Sequence, residues 1–195
     1  MDNNIKGVKK GSDFEYKVLI SIFYIFPNNP HDFMIAAGGT PEILKTVVNG
    51  NDIFTFLFAS SRDRDFNYSK NIDKHDGFIL IFQTFSRKTF EDIELLNEDI
   101  LYWRKSKQPY KVILVGINSE DKTREVGYDE GNSLAVKLDM EYFESDPIGE
   151  KESARKIVND LIKETLYFKY PNKFMKENTS MMYKRTNDNS FCNIL

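Results

Sequence analysis

Stretches of apolar residues alternate with amphipathic stretches along most of the chain. Continuous apolar and β-favouring runs at 17–26, 77–82 and 111–116 are typical of strands buried on both faces of a parallel sheet. Between residues 86–103 and 150–170, apolar residues recur every three or four positions instead, which predicts helices with one buried face. Ser86 is predicted to cap the first of these helices. The pattern therefore predicts a domain in which strands and helices alternate.

A hairpin precedes this alternation. Two β-favouring runs, 43–48 and 52–58, flank Asn49-Gly50, a pair that tolerates the positive φ of a tight turn between antiparallel strands. Shorter elements follow later, with a helix predicted near 128–138 and a strand at 141–143. Together these features predict an α/β domain with a mostly parallel sheet and helices on both faces.

The size of the chain indicates how many domains it forms, and its charge indicates what kind of partner it binds. A chain of 195 residues that is 41% hydrophobic fits one domain with a well-buried core. Its net charge of -3 divides into about +3 from residue 169 onward and about -6 for the remainder. An acidic body argues against nucleic acid as a partner, because phosphates require clustered Lys and Arg. The mildly basic tail fits a membrane surface better.

The cysteine count and the apolar runs indicate the compartment. Cys192 is the only cysteine, so no disulfide can form within the chain, which favours the reducing cytoplasm. The first residues lack the apolar run of a secretory signal. The longest apolar stretch, 18–26, is far shorter than the roughly 20 residues that a spanning helix needs. Contact with a membrane is therefore expected only through an anchor.

Several segments resemble Ras-family small GTPases, in the order in which that family carries them. They are Glu15-Tyr16-Lys17, 76–82, Ser86–Ile93, 109–116, Arg124-Glu125-Val126 and 142–145. The likeness covers about residues 15–168. It implies a three-layer domain of the P-loop NTPase type at 13–170, with a six-stranded sheet that has one antiparallel edge strand. It also implies flexible tails at 1–12 and 171–195.

The chain ends in Cys192-Asn193-Ile194-Leu195. A cysteine fourth from the end, two aliphatic-tolerant positions and a terminal Leu match the prenylation box, and Leu favours geranylgeranyl. A prenyl group on Cys192 is expected to hold the domain on the cytosolic face of a plasma or internal membrane. Because one such chain anchors only marginally, the basic residues of the tail are expected to assist it.

The phosphate-binding loop of the resembled family corresponds to residues 22–29. Such a loop needs glycines whose N–H groups face the phosphates, a Lys for charge, and a hydroxyl for magnesium. Here the loop contains no glycine, Pro27 lacks an N–H, and Asn28 stands at the Lys position. The Asp-x-x-Gly segment corresponds to 59–62, which has neither its Asp nor its Gly, and Asp63 replaces the water-positioning glutamine. We therefore expect no catalytic residue, no metal and no resident cofactor.

The guanine-specificity motif Asn-Lys-x-Asp is kept in part. In the register aligned on Val115-Gly116 the motif falls on 117–120 and does not match. Shifted by one position, Asn118 and Asp121 preserve its Asn and Asp at the proper spacing and are the candidate guanine contacts, whereas the final base loop at 144–147 keeps only its first half. The resemblance thus implies a pseudo-GTPase: a membrane-anchored, Ras-like signalling protein that binds protein effectors or regulators and hydrolyses little or no GTP. The alternative is a divergent GTPase that still binds GTP or GDP with magnesium and switches. A third possibility is a soluble regulator that dimerises through the face of the lost switch segments.

Overall fold

The computed structural model describes residues 16–24, 43–61, 72–105, 108–145 and 151–174. Within these ranges the chain forms one sheet and three helices. The strands are β1 (Tyr16–Tyr24), β2 (Ile43–Val48), β3 (Asn51–Ser61), β4 (Gly77–Gln83), β5 (Lys111–Ile117) and β6 (Glu141–Ser145). The helices are α1 (Arg87–Trp103), α2 (Tyr128–Lys137) and α3 (Lys151–Lys169), and a 3-10 turn at Ile72–Lys74 precedes β4.

The sheet has the strand order β2-β3-β1-β4-β5-β6. Strand β2 pairs with β3 in the antiparallel direction, and every other neighbouring pair is parallel. The turn between β2 and β3 places Asn49 at φ 50° and Gly50 at φ 76°, the left-handed values that the sequence predicts there. The predicted fold class, a mostly parallel six-stranded sheet with one antiparallel edge strand, is confirmed.

Two hydrophobic cores lie on opposite faces of the sheet. Strand β4 supplies both, because successive side chains of a strand point to opposite faces. Ile79 and Ile81 enter the core beneath α3, whereas Phe78, Leu80 and Phe82 enter the core beneath α1 and α2. A strand buried in this way has no polar position available, which explains its continuous apolar run.

Helix α1 begins after Ser86, the residue that the sequence predicts as its cap. The prediction places the start correctly, but the Ser86 side chain makes no capping hydrogen bond. Instead, the N–H of Arg87, one of the unpaired donors of the first turn, donates to the carboxylate of Glu125 at 2.7 Å. A residue from the facing loop thus replaces the local cap.

The packed body extends beyond the end of α3. Phe174 is fully buried, and its ring lies 5.0 Å from that of Tyr16 and 6.3 Å from that of Tyr170, measured between centroids. Sequence reasoning assigns residues from 171 onward to a flexible tail. In the structure Phe174 packs against the start of β1, so this residue belongs to the core beneath α3.

Candidate functional site

The candidate site lies at the carboxyl ends of β4, β5 and β6. Parallel strands end at the same edge of a sheet, and ligands in such folds bind beyond that edge. Thr84 follows β4, Asn118 follows β5, and Glu144 lies near the end of β6. Arg124 comes from the loop between β5 and α2, and these four side chains meet.

Asn118 is held from several directions. Its Oδ1 atom accepts hydrogen bonds from the Thr84 hydroxyl at 3.0 Å and from Arg124 Nη2 at 2.8 Å. Its Nδ2 atom donates to Glu144 Oε2 at 3.3 Å, and its backbone N–H donates to Ser145 O at 2.9 Å. The amide that would contact a guanine base is thus fixed by groups of the protein itself.

Arg124 and Glu144 form a two-pronged ion pair. Nη1 lies 2.8 Å from Oε1 and Nη2 lies 2.7 Å from Oε2, the parallel geometry that makes Arg–carboxylate pairs strong. The hydrogen bond from Arg124 is the largest cause that lowers the pKa of the Glu144 carboxyl, against the opposing effect of burial. The same bond raises the pKa of Arg124. Both partners are therefore charged over the physiological pH range.

Tyr142 supports this pair from β6. Its hydroxyl donates to Glu144 Oε1 at 2.7 Å, and burial raises the pKa of the phenol, so it stays a neutral donor. The ring lies close to two glycines, since a Cβ atom on Gly131 would lie 2.5 Å from its Cζ and one on Gly116 would lie 2.7 Å from its hydroxyl. Only residues without a side chain leave room for the ring in this position.

Thr84 fastens the loop after β5 to the end of β4. Its carbonyl accepts hydrogen bonds from the backbone N–H groups of Glu125 and Val126, each at 2.9 Å, and its own N–H donates to Ile117 O at 3.0 Å. Val126 is fully buried in the core beneath α1 and α2. The loop that carries Arg124 is therefore anchored by backbone bonds and by packing.

The two residues predicted to contact guanine have different surroundings. Asn118 is half-buried within the network of Thr84, Arg124 and Glu144, whereas Asp121 is exposed in the turn that follows. Sequence reasoning did not assign a role to Arg124, Tyr142 or Thr84. The opposite charges at the ends of the β5 loop and of β6 are the sequence feature that could have indicated the ion pair.

The start of the predicted phosphate loop is part of the sheet. Strand β1 continues to Tyr24, which pairs with Ser61 of β3 and with Ile81 of β4. Ile22 and Phe23 are buried in opposite cores, with exposed fractions of 0% and 3%. These described positions offer apolar side chains where a triphosphate with magnesium needs amide donors and charge, so they do not fit that ligand.

Several predicted positions lie outside the described residues. They are Pro27, Asn28, Asp63, the second half of the final base loop at 146–147, and Cys192. Within the ranges that the structure describes, no cluster of His, Cys, Asp or Glu side chains could hold a metal ion. No helix in those ranges combines the length and the apolar character that crossing a bilayer requires.

Comparison with known proteins agrees with this architecture. The model of the Ras family matches residues 65–166, just over half of the chain. The chain belongs to the Ras family. The matched region covers the whole strand edge described above, from Thr84 to Glu144, and members of this family generally bind effectors and regulators.

Two curated Ras-family relatives align with part of the chain. The Ras-like protein rasU of Dictyostelium discoideum is 31% identical over 70 residues, which make up 35% of this chain and 32% of that protein. A Ras-like protein of Laccaria bicolor is 35% identical over 71 residues, or 36% of this chain and 34% of that protein. The aligned part of the chain thus spans about a third of the length of each of these relatives.

Proposed function

We propose that this Ras-family chain is a pseudo-GTPase that binds protein effectors or regulators and hydrolyses little or no GTP. The observation that carries the proposal is the continuation of β1 to Tyr24, through the positions where the family's phosphate loop begins. In a strand paired on both sides, backbone N–H groups are used by the sheet ladder. They are then not available to converge on phosphate oxygens.

Strand β3 supports the same proposal. It extends to Ser61 and pairs with β1 from Ile53 to Ser61, so the first three of the positions aligned with Asp-x-x-Gly, 59–61, lie in a paired strand as well. The sequence supplies Ala59 and Ser61 there, and neither offers a carboxylate for magnesium. The phosphate loop and the Asp-x-x-Gly segment hold the γ-phosphate in an active family member. In this chain the described residues aligned with them pair within the sheet and carry different side chains.

Magnitudes indicate how much affinity these changes remove. Even picomolar binding corresponds to roughly 16 kcal/mol. Each charge-assisted N–H bond that is lost removes roughly 1.5–3 kcal/mol, and a buried charge without its partner costs roughly 3–5 kcal/mol. Losing the Lys, several amides and the magnesium ligands together reduces GTP binding to millimolar affinity or weaker. Ras-type hydrolysis fails with it.

The nucleotide content of the purified protein tests the proposal. The full chain is denatured, and the supernatant is chromatographed beside that of a Ras-family protein with an intact Gly-rich phosphate loop, purified identically in magnesium buffer. We expect stoichiometric GDP from the control and none from this chain. Stoichiometric GDP or GTP from this chain would refute the pseudo-GTPase.

The retained Asn118 and Asp121 favour a second candidate function, a divergent GTPase that binds guanine nucleotide with magnesium through a remodelled site. Asn118 lies at the carboxyl end of β5 and Asp121 is exposed three positions later, where both could approach a base. Titration of the full chain with a fluorescent GDP separates the two functions. Saturable binding that Asp121→Ala abolishes would favour this candidate over the pseudo-GTPase.

We further propose that Cys192 carries a prenyl group and that the domain lies on the cytosolic face of a membrane. The terminal Cys-Asn-Ile-Leu and the basic residues of the tail support this placement. Partners would then meet a protein domain concentrated at a membrane, whatever its nucleotide state. The proposal requires no nucleic acid partner, in keeping with the acidic body.

A further inference from the structure

The outer face of helix α1 carries apolar side chains where a surface helix normally carries polar ones. Leu95, Leu101 and Tyr102 are 45%, 56% and 72% exposed. Leu95 and Tyr102 are seven positions apart and therefore lie on one side of the helix. Glu91 and Glu98 lie on the same side at spacings of three and four, and both are exposed. We call these five residues the α1 stripe. Because its apolar members are clustered rather than scattered singly, the stripe has the character of an interaction surface.

The charge of α1 is acidic. The helix has five carboxylates against two basic residues, Arg87 and Lys88, which are its first two positions. Its first turn contains no acidic residue and its last turn no basic one. The helix dipole favours the opposite distribution, so these charges are not arranged to stabilise α1 itself. The α1 stripe is thus suited to a ligand that is both apolar and basic.

The C-terminal tail of the chain combines these two properties. Its net charge from residue 169 onward is about +3, and within it Met181-Met182-Tyr183 is followed directly by Lys184-Arg185. Methionine side chains are flexible and adapt to uneven apolar surfaces. The two cations that follow match the carboxylates of the stripe in number and in sign. Residues 181–185 lie outside the described ranges, and they have the composition that the α1 stripe requires.

The described end of the chain lies within reach of α1. Phe174 packs against Tyr16 at the start of β1, so the chain beyond Phe174 starts at the amino edge of the sheet. Helix α1 ends at the same edge, since Arg104 donates to the carbonyl of His75, just before β4, at 2.7 Å. The eight residues that lead from Phe174 to Met182 span up to roughly 26–29 Å when extended. The 17 residues of α1 measure about 26 Å. The tail can therefore pass around this edge and reach the stripe.

We propose that residues 181–185 of the tail dock on the α1 stripe, with their apolar side chains against those of the stripe and their two cations beside its carboxylates. The tail then covers a surface that protein partners could otherwise contact, and its release regulates their access to α1. The inference goes beyond the proposed function, because it holds with or without a bound nucleotide.

Trp103 is the only tryptophan of the chain and reports on the stripe. The residue is half-buried, and its ring lies 4.9 Å from that of Tyr102, measured between centroids. Acrylamide, a neutral quencher of fluorescence, measures how accessible the ring is in the full chain with Cys192 unmodified. Reversing both cations of the tail, Lys184→Glu with Arg185→Glu, is expected to raise the quenching constant of Trp103 about twofold, because like charges then repel the tail from α1.

The matched control is Arg155→Glu with Lys156→Glu, at two exposed positions of α3, which covers the opposite face of the sheet. It changes the net charge by the same amount and should leave quenching at the parent value. Glu91→Lys with Glu98→Lys reverses the charge of the stripe and should raise quenching as the tail variant does. Combining the reversals of stripe and tail should restore the parent value, since opposite charges then face one another again.

Two results would overturn the inference. One is parent quenching in the tail variant, or a combined variant that is quenched as strongly as the separate reversals. The other is quenching of the parent that falls as the protein concentration rises, which would mean that a second copy of the chain covers the stripe. The tail variant changes no residue of the packed body, so it decides the question even if a stripe variant fails to fold.

Discussion

The ammonium of Lys169 lies 2.7 Å from the carboxylate of Asp76 and thereby joins the end of α3 to the start of β4. The same carboxylate oxygen accepts the backbone N–H of Leu19 at 2.8 Å, so Asp76 also holds the middle of β1. Its side chain is only 11% exposed, whereas that of Lys169 is 31% exposed. One carboxylate thus links three elements at the amino edge of the sheet, opposite to the candidate site at the carboxyl edge.

Replacing Asp76 is therefore expected to cost more stability than replacing Lys169. Asp76→Ala leaves the Leu19 N–H and an ammonium without their acceptor, and we expect a loss of about 2–3 kcal/mol. Lys169→Met leaves Asp76 bonded to Leu19 and keeps the stem, so the expected loss is about 1 kcal/mol or less. Urea unfolding of both variants measures the difference. Equal losses would mean that the bond to Leu19 contributes nothing.

The fold could be predicted because each element of the sheet has a local pattern. Strand β4 is apolar throughout since it faces two cores, and Asn49-Gly50 supplies the positive φ values of the hairpin turn. The start of α1 is predicted correctly, but its cap is not. The sequence suggests the hydroxyl of Ser86, whereas the carboxylate of Glu125 arrives from a distant loop.

The hydrogen-bonded network around Asn118 could not be predicted in the same way. The sequence indicates Asn118 through its motif, but the partners of Asn118 are set by the order of β4, β5 and β6 in the sheet. Hydrogen bonds between strand ends depend on which strands are neighbours, and local patterns do not specify this. The membrane anchor and the loss of nucleotide binding stay predictions.

His75 is expected to make stability depend on pH. Its Nδ1 contacts the hydroxyl of Ser21 on β1. Burial, the largest cause, lowers the pKa of His75 from 6.5 to about 4, with Asp76 opposing the shift and Arg104 adding to it. Because the folded pKa lies below the unfolded one, the unfolded chain binds more protons between these values. Stability is therefore complete above about pH 6.5 and falls as the pH is lowered toward 4.

Urea unfolding at pH 7 and pH 5 measures this effect. The shift corresponds to a loss of about 2 kcal/mol between these two values, at the rate of about 1.4 kcal/mol for each pH unit. His75→Gln should lose much less over the same range. His31 is the other histidine of the chain, and the same measurement on His31→Gln separates its contribution from that of His75. An equal pH dependence in parent and His75→Gln would contradict the assignment.

Gly131 is expected to tolerate no side chain. A Cβ atom there would lie 2.5 Å from the ring of Tyr142, the residue that donates to Glu144. Gly131→Ala must therefore displace the ring, at a cost of about 1–3 kcal/mol. The control is Gly127→Ala, whose added Cβ would meet no atom within 4 Å and should cost about 1 kcal/mol or less. If both variants melt at the same temperature, Tyr142 does not need this space.

Cys192 is expected to decide whether the chain associates with membranes. Cys192→Ser removes the only thiol that could be prenylated, so we expect it in the soluble fraction of the expressing cells, with the parent partly in the membrane fraction. Because one prenyl chain binds weakly and the tail adds basic residues, salt of about 1 M should release part of the parent as well. Ser190→Ala lies outside the final four residues and should fractionate as the parent does. If Cys192→Ser sediments with membranes as fully as the parent, the anchor must be sought elsewhere in the chain.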